Sequence, residues 1–197
     1  MYLYRHLNEE ERRLLVEERR QRGFPPHRPP HPEREAIYYL LTAACYEHRH
    51  LMNTVDRREQ LLDRLFEQCT QHGIELRAWV VLPNHYHVLA VVPDFSVLPE
   101  VFRRVHGATS RQWNIEDNTL GRKVWYQYAD RAIRSERHYW ATVNYIHYNP
   151  IKHGYVRRAR EWKVSSIHWY WHSYGEQQLR QWWDAFPIGD YGKGWDE

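Results

Sequence analysis

Two histidines separated by one residue, His85 and His87, are the first side chains in this sequence that could do chemistry. They open the run HYHVLAVV (85–92), whose apolar and β-branched residues predict a strand. Side chains alternate faces along a strand, so both imidazoles point the same way and can converge on one ion. Two nitrogens alone make a weak metal site, and the pattern also fits two strand histidines that bind nothing.

A tyrosine and an asparagine further along the chain could complete such a site. The segment SERHYWATVNYIHYN (135–149) predicts a helix that Ser135 caps and Pro150 ends. The apolar stripe of this helix is predicted to consist of Tyr139, Trp140, Val143 and Ile146. At about 100° per residue, Tyr145 falls on the opposite, polar side, and Asn149 lies one turn later almost in line with it. A surface tyrosine followed by an ordinary asparagine is the alternative.

The elements that must position these residues follow from the apolar pattern. Strands are predicted at 36–46, 74–82, 85–92 and 123–133. Helices are predicted at 55–73, which ends at Gly73, and between the third and fourth strands. The order β-α-β-β-α-β, followed by the helix at 135–149, predicts an α+β fold of the ferredoxin-like (RRM-like) type, in which an antiparallel sheet carries two helices on one face.

Three segments are predicted along the chain. Residues 1–35 read as a helix with an Asn8–Glu11 capping box, followed by the proline-rich linker FPPHRPPHP. Residues 36–175 form the folded domain, and residues 176–197 a C-terminal tail that begins with a short helix.

Composition limits the class of protein. Aromatic residues make up 15% of the 197 residues, and the stretch 100–163 contains thirteen Lys or Arg against six Asp or Glu. Cations together with flat rings suit single-stranded nucleic acid, although a solvated charged surface over an aromatic core would look the same. The chain contains no apolar stretch that would span a membrane, its N-terminus is too charged for a secretory signal, and Cys45 and Cys69 read as reduced, buried thiols. These features predict a cytoplasmic protein.

Two motifs resemble a known family. PNHYHVLA (83–90) resembles the His-hydrophobic-His motif of the HUH nucleases, and YIHYNPIKHGYV (145–156) resembles the nucleophile segment of single-tyrosine HUH transposases. YADRAIRSERHYW (128–140) and WKVSSIHWY (162–170) resemble the REP-associated tyrosine transposases more closely than the insertion-sequence enzymes. The resemblance covers roughly residues 36 to 172, whereas residues 1–35 match no part of the pattern.

This resemblance implies a metal-dependent endonuclease and strand transferase that acts on single-stranded or hairpin DNA of the REP type. His85, His87 and Asn149 would bind the divalent metal, and Tyr145 would be the catalytic nucleophile that forms a 5′-phosphotyrosine. The donor set suits Mg²⁺ or Mn²⁺, while the two histidines would also suit Zn²⁺. A monomer is favoured, and a homodimer is possible.

The DNA would be held by basic residues around these motifs. We expect DNA contacts from Arg103, Arg104, Arg111, Arg131, Lys152, Arg157 and Arg158. Taken singly, each of these could equally be a solvated surface charge. A non-catalytic nucleic-acid binder on an RRM-like fold is the main alternative, but it has no use for the paired histidines and the Tyr145–Asn149 pair. A zinc hydrolase is a third possibility, and it lacks an evident carboxylate base beside the histidines.

Overall fold

The computed structural model describes residues 37–193, together with residues 8, 10, 11, 13, 14 and 17 near the N-terminus. The predicted capping box is present, because the Asn8 backbone N–H donates to Glu11 Oε2 (2.8 Å) and the Glu11 N–H donates to Asn8 Oδ1 (2.9 Å). The proline-rich linker predicted at 24–32 lies outside the described residues.

Four antiparallel strands form one sheet in the spatial order β2-β3-β1-β4. Their bounds are Tyr38–Ala44 (β1), Glu75–Val81 (β2), His85–Val91 (β3) and Ala129–Ala132 (β4). The predicted α+β class and antiparallel sheet are confirmed. The fourth strand is much shorter than the predicted 123–133, because only its last part pairs with β1 while Trp125 makes a single bridge to Cys45.

Helices cover both faces of the sheet. α1 (Val55–Gln71) and α2 (Leu98–Glu116) bury their apolar sides in a core with the strand residues of the first face. α3 (Glu136–Lys152) and α4 (Ile167–Ala185) pack on the second face. β3 serves both cores, because Tyr86 and Val88 point into the first and Leu89 into the second.

α3 begins as predicted but ends later. The Ser135 side chain accepts from the His138 N–H at 3.1 Å, which confirms the N-cap. The prediction that Pro150 ends the helix was wrong, because Pro150 lies within α3. A proline in the last turn removes only one backbone hydrogen bond, and Gly154, at φ 71°, then ends the helix. Asn149 therefore keeps helical geometry, one turn after Tyr145.

α4 bends where the tail was predicted to begin. Gly175 adopts φ 77° and ψ 167°, which lies outside the helical region, so the predicted short helix after 176 is the second half of α4. The division of the chain at 35 and 175 into separate segments stays a prediction.

Two smaller predictions concern the cysteines and the membrane. Cys45 and Cys69 are both free and buried, and burial raises the pKa of each thiol to about 12. Within the described part of the chain, none of the helices has the length and apolar character needed to cross a bilayer.

Candidate active site

His85 and His87 lie at the start of β3 on the second face of the sheet, 2% and 0% exposed. Each ring is held through Nδ1. His85 Nδ1 donates to Asn84 Oδ1 at 2.8 Å, and His87 Nδ1 lies 2.7 Å from the hydroxyl of Thr42, its cross-strand partner on β1. A proton held on Nδ1 leaves a lone pair on Nε2, so each Nε2 atom can accept an ion or a proton.

Asn149 faces His85 from α3. Asn149 Oδ1 lies 3.2 Å from His85 Nε2, and Asn149 is 0% exposed. With the His85 proton on Nδ1, these two atoms are both acceptors, and their close approach is repulsive unless a cation lies between them. The Asn149 Nδ2 atom is buried and has no hydrogen-bond partner among the described residues. A buried amide in this state is accounted for where water, an ion or a ligand binds beside it.

Tyr145 completes the group from the same helix. Its Oη lies 3.3 Å from His87 Nε2, and the two ring centroids are 5.1 Å apart. The structure thus brings together all four predicted residues, two from β3 and two from α3. The expectation that Tyr145 lies on a polar helix side away from the core was wrong, because its side chain is 0% exposed and belongs to the second core.

The burial of Tyr145 is completed by residues 186–193, which we call the covering segment. The Tyr191 ring lies 5.5 Å from the Tyr145 ring, and its Oη shares a 2.7 Å hydrogen bond with Thr142 Oγ1. Gly192 approaches so closely that a Cβ there would be 2.1 Å from Tyr145 Cε2. Lys152 Nζ donates to the Gly192 carbonyl at 3.0 Å and lies 5.4 Å from the centre of the Tyr145 ring. The covering segment therefore occupies the approach to the tyrosine.

The donor set fits a divalent cation. The amide oxygen, with positions left open for phosphate oxygen and water, suits Mg²⁺ or Mn²⁺, while the two imidazole nitrogens also suit Zn²⁺. Ligands at right angles on an ion about 2.1 Å away lie about 3 Å apart, close to the 3.2 Å between His85 Nε2 and Asn149 Oδ1. Among the described residues, no group of three or more His, Cys, Asp or Glu is arranged to hold a metal. The donors at this site differ from such a group because the third one is the Asn149 amide.

The predicted DNA-contacting residues are not gathered in one place. Arg103 and Arg104 lie on α2, over the opposite face of the sheet, and both pair with Glu100 at 2.7 and 2.6 Å. Arg111 is exposed on the same helix. The other four lie elsewhere: Arg131 on β4, Lys152 at the end of α3 and 5.4 Å from the Tyr145 ring, and Arg157 and Arg158 in the loop before α4.

Arg131 lies on the tyrosine's side of the molecule, as its effect on a neighbour indicates. Burial lowers the pKa of His138, and the positive charges of Arg131 and Arg134 lower it further. His138 in turn contacts the covering segment, since its Nε2 lies 3.2 Å from Tyr191 Oη. A basic flank beside Tyr145 suits a phosphodiester backbone.

Three residues of the site were missed from sequence: Thr42, Asn84 and Tyr191. Asn84 directly precedes His85, so the need of a ligating imidazole for an oxygen partner at its other nitrogen could have pointed to it. Thr42 meets His87 only through the pairing register of β1 with β3, and Tyr191 meets Tyr145 only through the return of the chain after α4. No local pattern marks either one.

Comparison with known proteins shows the family. Residues 34–149, more than half of the chain, match the family described as "Transposase IS200 like". The REP-associated tyrosine transposase of Escherichia coli (strain K12) is 30% identical over 131 residues, which cover 59% of this chain and 73% of that protein. A putative REP-associated tyrosine transposase of Haemophilus influenzae is 29% identical over 116 residues, which cover 52% of this chain and 64% of that protein.

A solved structure agrees with these sequences. The structure of a REP-associated tyrosine transposase bound to a REP hairpin superposes with a TM-score of 0.55 at 25% identity, over 71% of this chain and 83% of that one. The chain belongs to the IS200-like transposase family, and it is similar to the REP-associated tyrosine transposases within it. The resemblance noted from the two motifs is thereby confirmed.

Proposed function

We propose that this protein is a metal-dependent endonuclease and strand transferase that cleaves one strand of hairpin DNA through a 5′-phosphotyrosine at Tyr145. One observation carries the proposal. Tyr145 Oη lies 3.3 Å from His87 Nε2, while His85 Nε2 and Asn149 Oδ1 face each other at 3.2 Å. A phenol beside three metal-type donors suits metal-assisted cleavage of a phosphodiester by a tyrosine.

His85, His87 and Asn149 would hold the ion, which is Mg²⁺ or Mn²⁺ in this proposal. Asn84 and Thr42 support the choice of donors, because they orient the two imidazoles through Nδ1. When bound there, the ion would polarise the scissile phosphate and offset the charge that develops on it.

The reaction begins at the Tyr145 hydroxyl. Tyr145 Oη gives its proton to water and attacks the phosphorus, the bond from phosphorus to the 3′ oxygen breaks, and the 3′ oxygen takes up a proton from water. The products are a DNA 5′ end joined to Tyr145 and a free 3′-OH. Attack of a 3′-OH on the phosphotyrosine reverses these steps, so the joining of strands needs no ATP.

DNA reaches Tyr145 only after the covering segment moves. Tyr145 has no exposed surface, and Tyr191 and Gly192 stand where a phosphate would approach. Basic side chains border this approach: Arg131, Arg134 and Lys152. Hairpin DNA of the REP type is the proposed substrate, in keeping with the ligand of the similar solved transposase.

The test is a denaturing gel. A REP-type hairpin oligonucleotide with unpaired flanks and a label at its 3′ end is mixed with the protein and Mn²⁺ or Mg²⁺. We expect the label to migrate with the protein, and we expect chelation by EDTA or Tyr145→Phe to abolish the adduct. Tyr174→Phe, which changes an exposed tyrosine on α4, is the matched control and should leave the adduct unchanged.

Two results would contradict the proposal. An adduct that persists at full yield in Tyr145→Phe removes this residue from the nucleophile role. Tight hairpin binding by the wild-type protein with no adduct at any metal concentration would instead favour a non-catalytic binder.

A further inference from the structure

A second concave site lies on the other flank of α3. A cavity of about 240 Å³ opens between α3 and α4, and Tyr145, His85, His87 and Asn149 do not line it. Its apolar wall is formed by Val143, Ile151, Ala159, Ile167 and Leu179. The cavity is smaller than the roughly 300–1,000 Å³ typical of sites for drug-sized ligands. Its size suits a single planar ring system.

Aromatic rings and one amide give the cavity its chemistry. Tyr148 and Trp183 stand side by side at the rim, with ring centroids 5.4 Å apart, and Trp183 is 38% exposed. Asn144 donates both of its amide hydrogens, to the carbonyls of Trp182 (3.1 Å) and Phe186 (2.9 Å). These two bonds orient the Asn144 amide, which is part of the cavity wall. Flat rings beside an oriented amide suit a nucleobase.

Positive charge surrounds the rim on one side. Ala159 lines the cavity from within the run RRAREWK (157–163), which has four cations and one carboxylate. The exposed side chains of this run include Arg157, Arg158 and Lys163. The Glu161 carboxylate accepts from backbone N–H groups of the same loop, at 3.1 and 3.2 Å. Arg160 stacks on the Trp171 ring at 3.5 Å. Among the described residues, Arg157, Arg158 and Lys163 form no salt bridge and can meet an outside anion, in contrast to Arg103 and Arg104, which pair with Glu100.

We propose that this cavity takes one unpaired base of the DNA strand that passes Tyr145, with the backbone phosphates on the basic run. The inference rests on the proposed function and names a specificity site for it. Tyr148 follows Tyr145 by three residues, about 4.5 Å along the axis of α3, so one strand can serve both sites. Charge argues against a second copy as the occupant, because a pair of chains joined here would bring two basic runs together.

The test measures binding rather than cleavage. Protein carrying Tyr145→Phe is titrated against a labelled hairpin with a short single-stranded flank, and against a series in which each flank nucleotide in turn is abasic. We expect one abasic position to weaken binding about tenfold, the order of one base stacked on an aromatic ring. Ala159→Phe, which fills the cavity, should weaken binding of the intact hairpin by about the same factor and remove the effect of that abasic position.

The matched controls and a second variant change residues of α4. Ala185→Phe places the same ring on an exposed part of α4 outside the cavity, and it should keep the full abasic effect. Trp183→Ala is a second, milder variant and should reduce the effect, whereas Trp169→Ala removes a more exposed tryptophan of α4 and should not. Thermal melting curves of all variants check that each one folds.

The outcomes separate this inference from the proposed function. If every abasic hairpin binds as tightly as the intact one, or if Ala159→Phe leaves the effect of the abasic position unchanged, the cavity does not take a base. A change in oligomeric state with unchanged DNA binding also overturns the inference, since a second copy then covers the cavity. If the wild-type protein forms the adduct but no abasic position weakens binding, only the proposal of a base-binding cavity is contradicted. If Ala159→Phe removes an abasic effect but the wild-type protein forms no adduct, only the proposed nuclease function is contradicted.

Discussion

Two tyrosine–histidine hydrogen bonds lie on opposite faces of one sheet. On the first face, Tyr86 Oη lies 2.9 Å from His106 Nε2, and on the second, Tyr145 Oη lies 3.3 Å from His87 Nε2. Both tyrosines are 0% exposed. Tyr86 and His87 are neighbours on β3, so a single alternation of the strand assigns one to each face.

The surroundings of the two pairs differ in kind. His106 stacks on Trp125 at 4.5 Å and contacts Phe102, and burial in this aromatic core lowers its pKa to about 3. Burial also raises the pKa of Tyr86 well above its usual value, so this pair stays neutral. Beside His87, by contrast, stand the His85 nitrogen and the Asn149 amide. A buried Tyr–His pair is therefore structural or chemical according to the polar atoms beside it.

The largest expected difference is between substitutions at two neighbouring residues of β3, His87 and Tyr86. His87→Gln should reduce adduct formation to background and lower the affinity for Mn²⁺ at least tenfold, because it removes an imidazole nitrogen from the donor set. Tyr86→Phe should leave both unchanged and reduce the free energy of unfolding by about 1 kcal/mol, the usual value of one hydrogen bond. Calorimetric Mn²⁺ titration, the adduct gel and urea denaturation measure these quantities. Loss of adduct in both variants would mean that the Tyr86–His106 pair on the first face is also needed for cleavage.

The second prediction concerns acid stability on the first face. An unfolded imidazole binds a proton near pH 6.5 and His106 only near pH 3, so between these values the unfolded chain binds more protons. Stability therefore falls as the pH drops from 6.5 toward 3. In His106→Phe this fall between pH 7 and pH 4 should be shallower by about 3 kcal/mol. Urea midpoints at the two pH values test it, and an unchanged difference would show that His106 does not titrate on unfolding in this way.

The third prediction compares two threonines. Thr42→Val removes the oxygen beside His87 Nδ1 and should lower Mn²⁺ affinity and cleavage by roughly 10–100-fold, as is usual for groups that orient a metal ligand. Thr109 holds Trp125 Nε1 at 3.0 Å on the first face, so Thr109→Val should lower stability and leave Mn²⁺ affinity as it is. Equal loss of metal affinity in both would make the effect of Thr42 a matter of general stability.

The smallest expected effect comes from removing one packed tyrosine ring from each face, Tyr191 or Tyr128. Tyr191→Ala removes the ring above Tyr145 and its hydrogen bond to Thr142, and should raise the initial rate of adduct formation about fivefold, the equivalent of ~1 kcal/mol for one hydrogen bond. Tyr128→Ala removes a ring that packs on Phe102 on the first face and should lower stability without raising the rate. A rate that is unchanged in Tyr191→Ala would show that the covering segment does not limit access to Tyr145.

Much of this arrangement could be predicted from periodicity. Alternation along 85–92 placed both histidines on one face, and helical spacing brought Asn149 into line with Tyr145. The order of strands and helices predicted the antiparallel sheet. The first two predictions hold because each depends on neighbours within a few residues.

The parts that failed depend on distant neighbours. The run 123–128 is rich in strand-forming residues, yet Val124 and Tyr128 are buried without belonging to a strand. Tyr145 looked solvent-facing because its polar helix side gives no sign of Tyr191, whose position is set by the bend at Gly175 and the turn after α4. Tertiary packing of this kind overrides local propensity.

The pairing register of β1 with β3 sets limits on how the sequence can change in length. Thr42 lies opposite His87, and Ala44 lies opposite His85. Inserting or deleting one residue within β3 would turn Tyr86 toward Asn149 and Tyr145 and bury His87 in the aromatic core. Two inserted residues would restore the faces but carry the histidines past Thr42 and away from α3. Substitutions are therefore tolerated along these strands more readily than changes in strand length. Any relative with the same site must keep Thr42 and His87 as cross-strand partners.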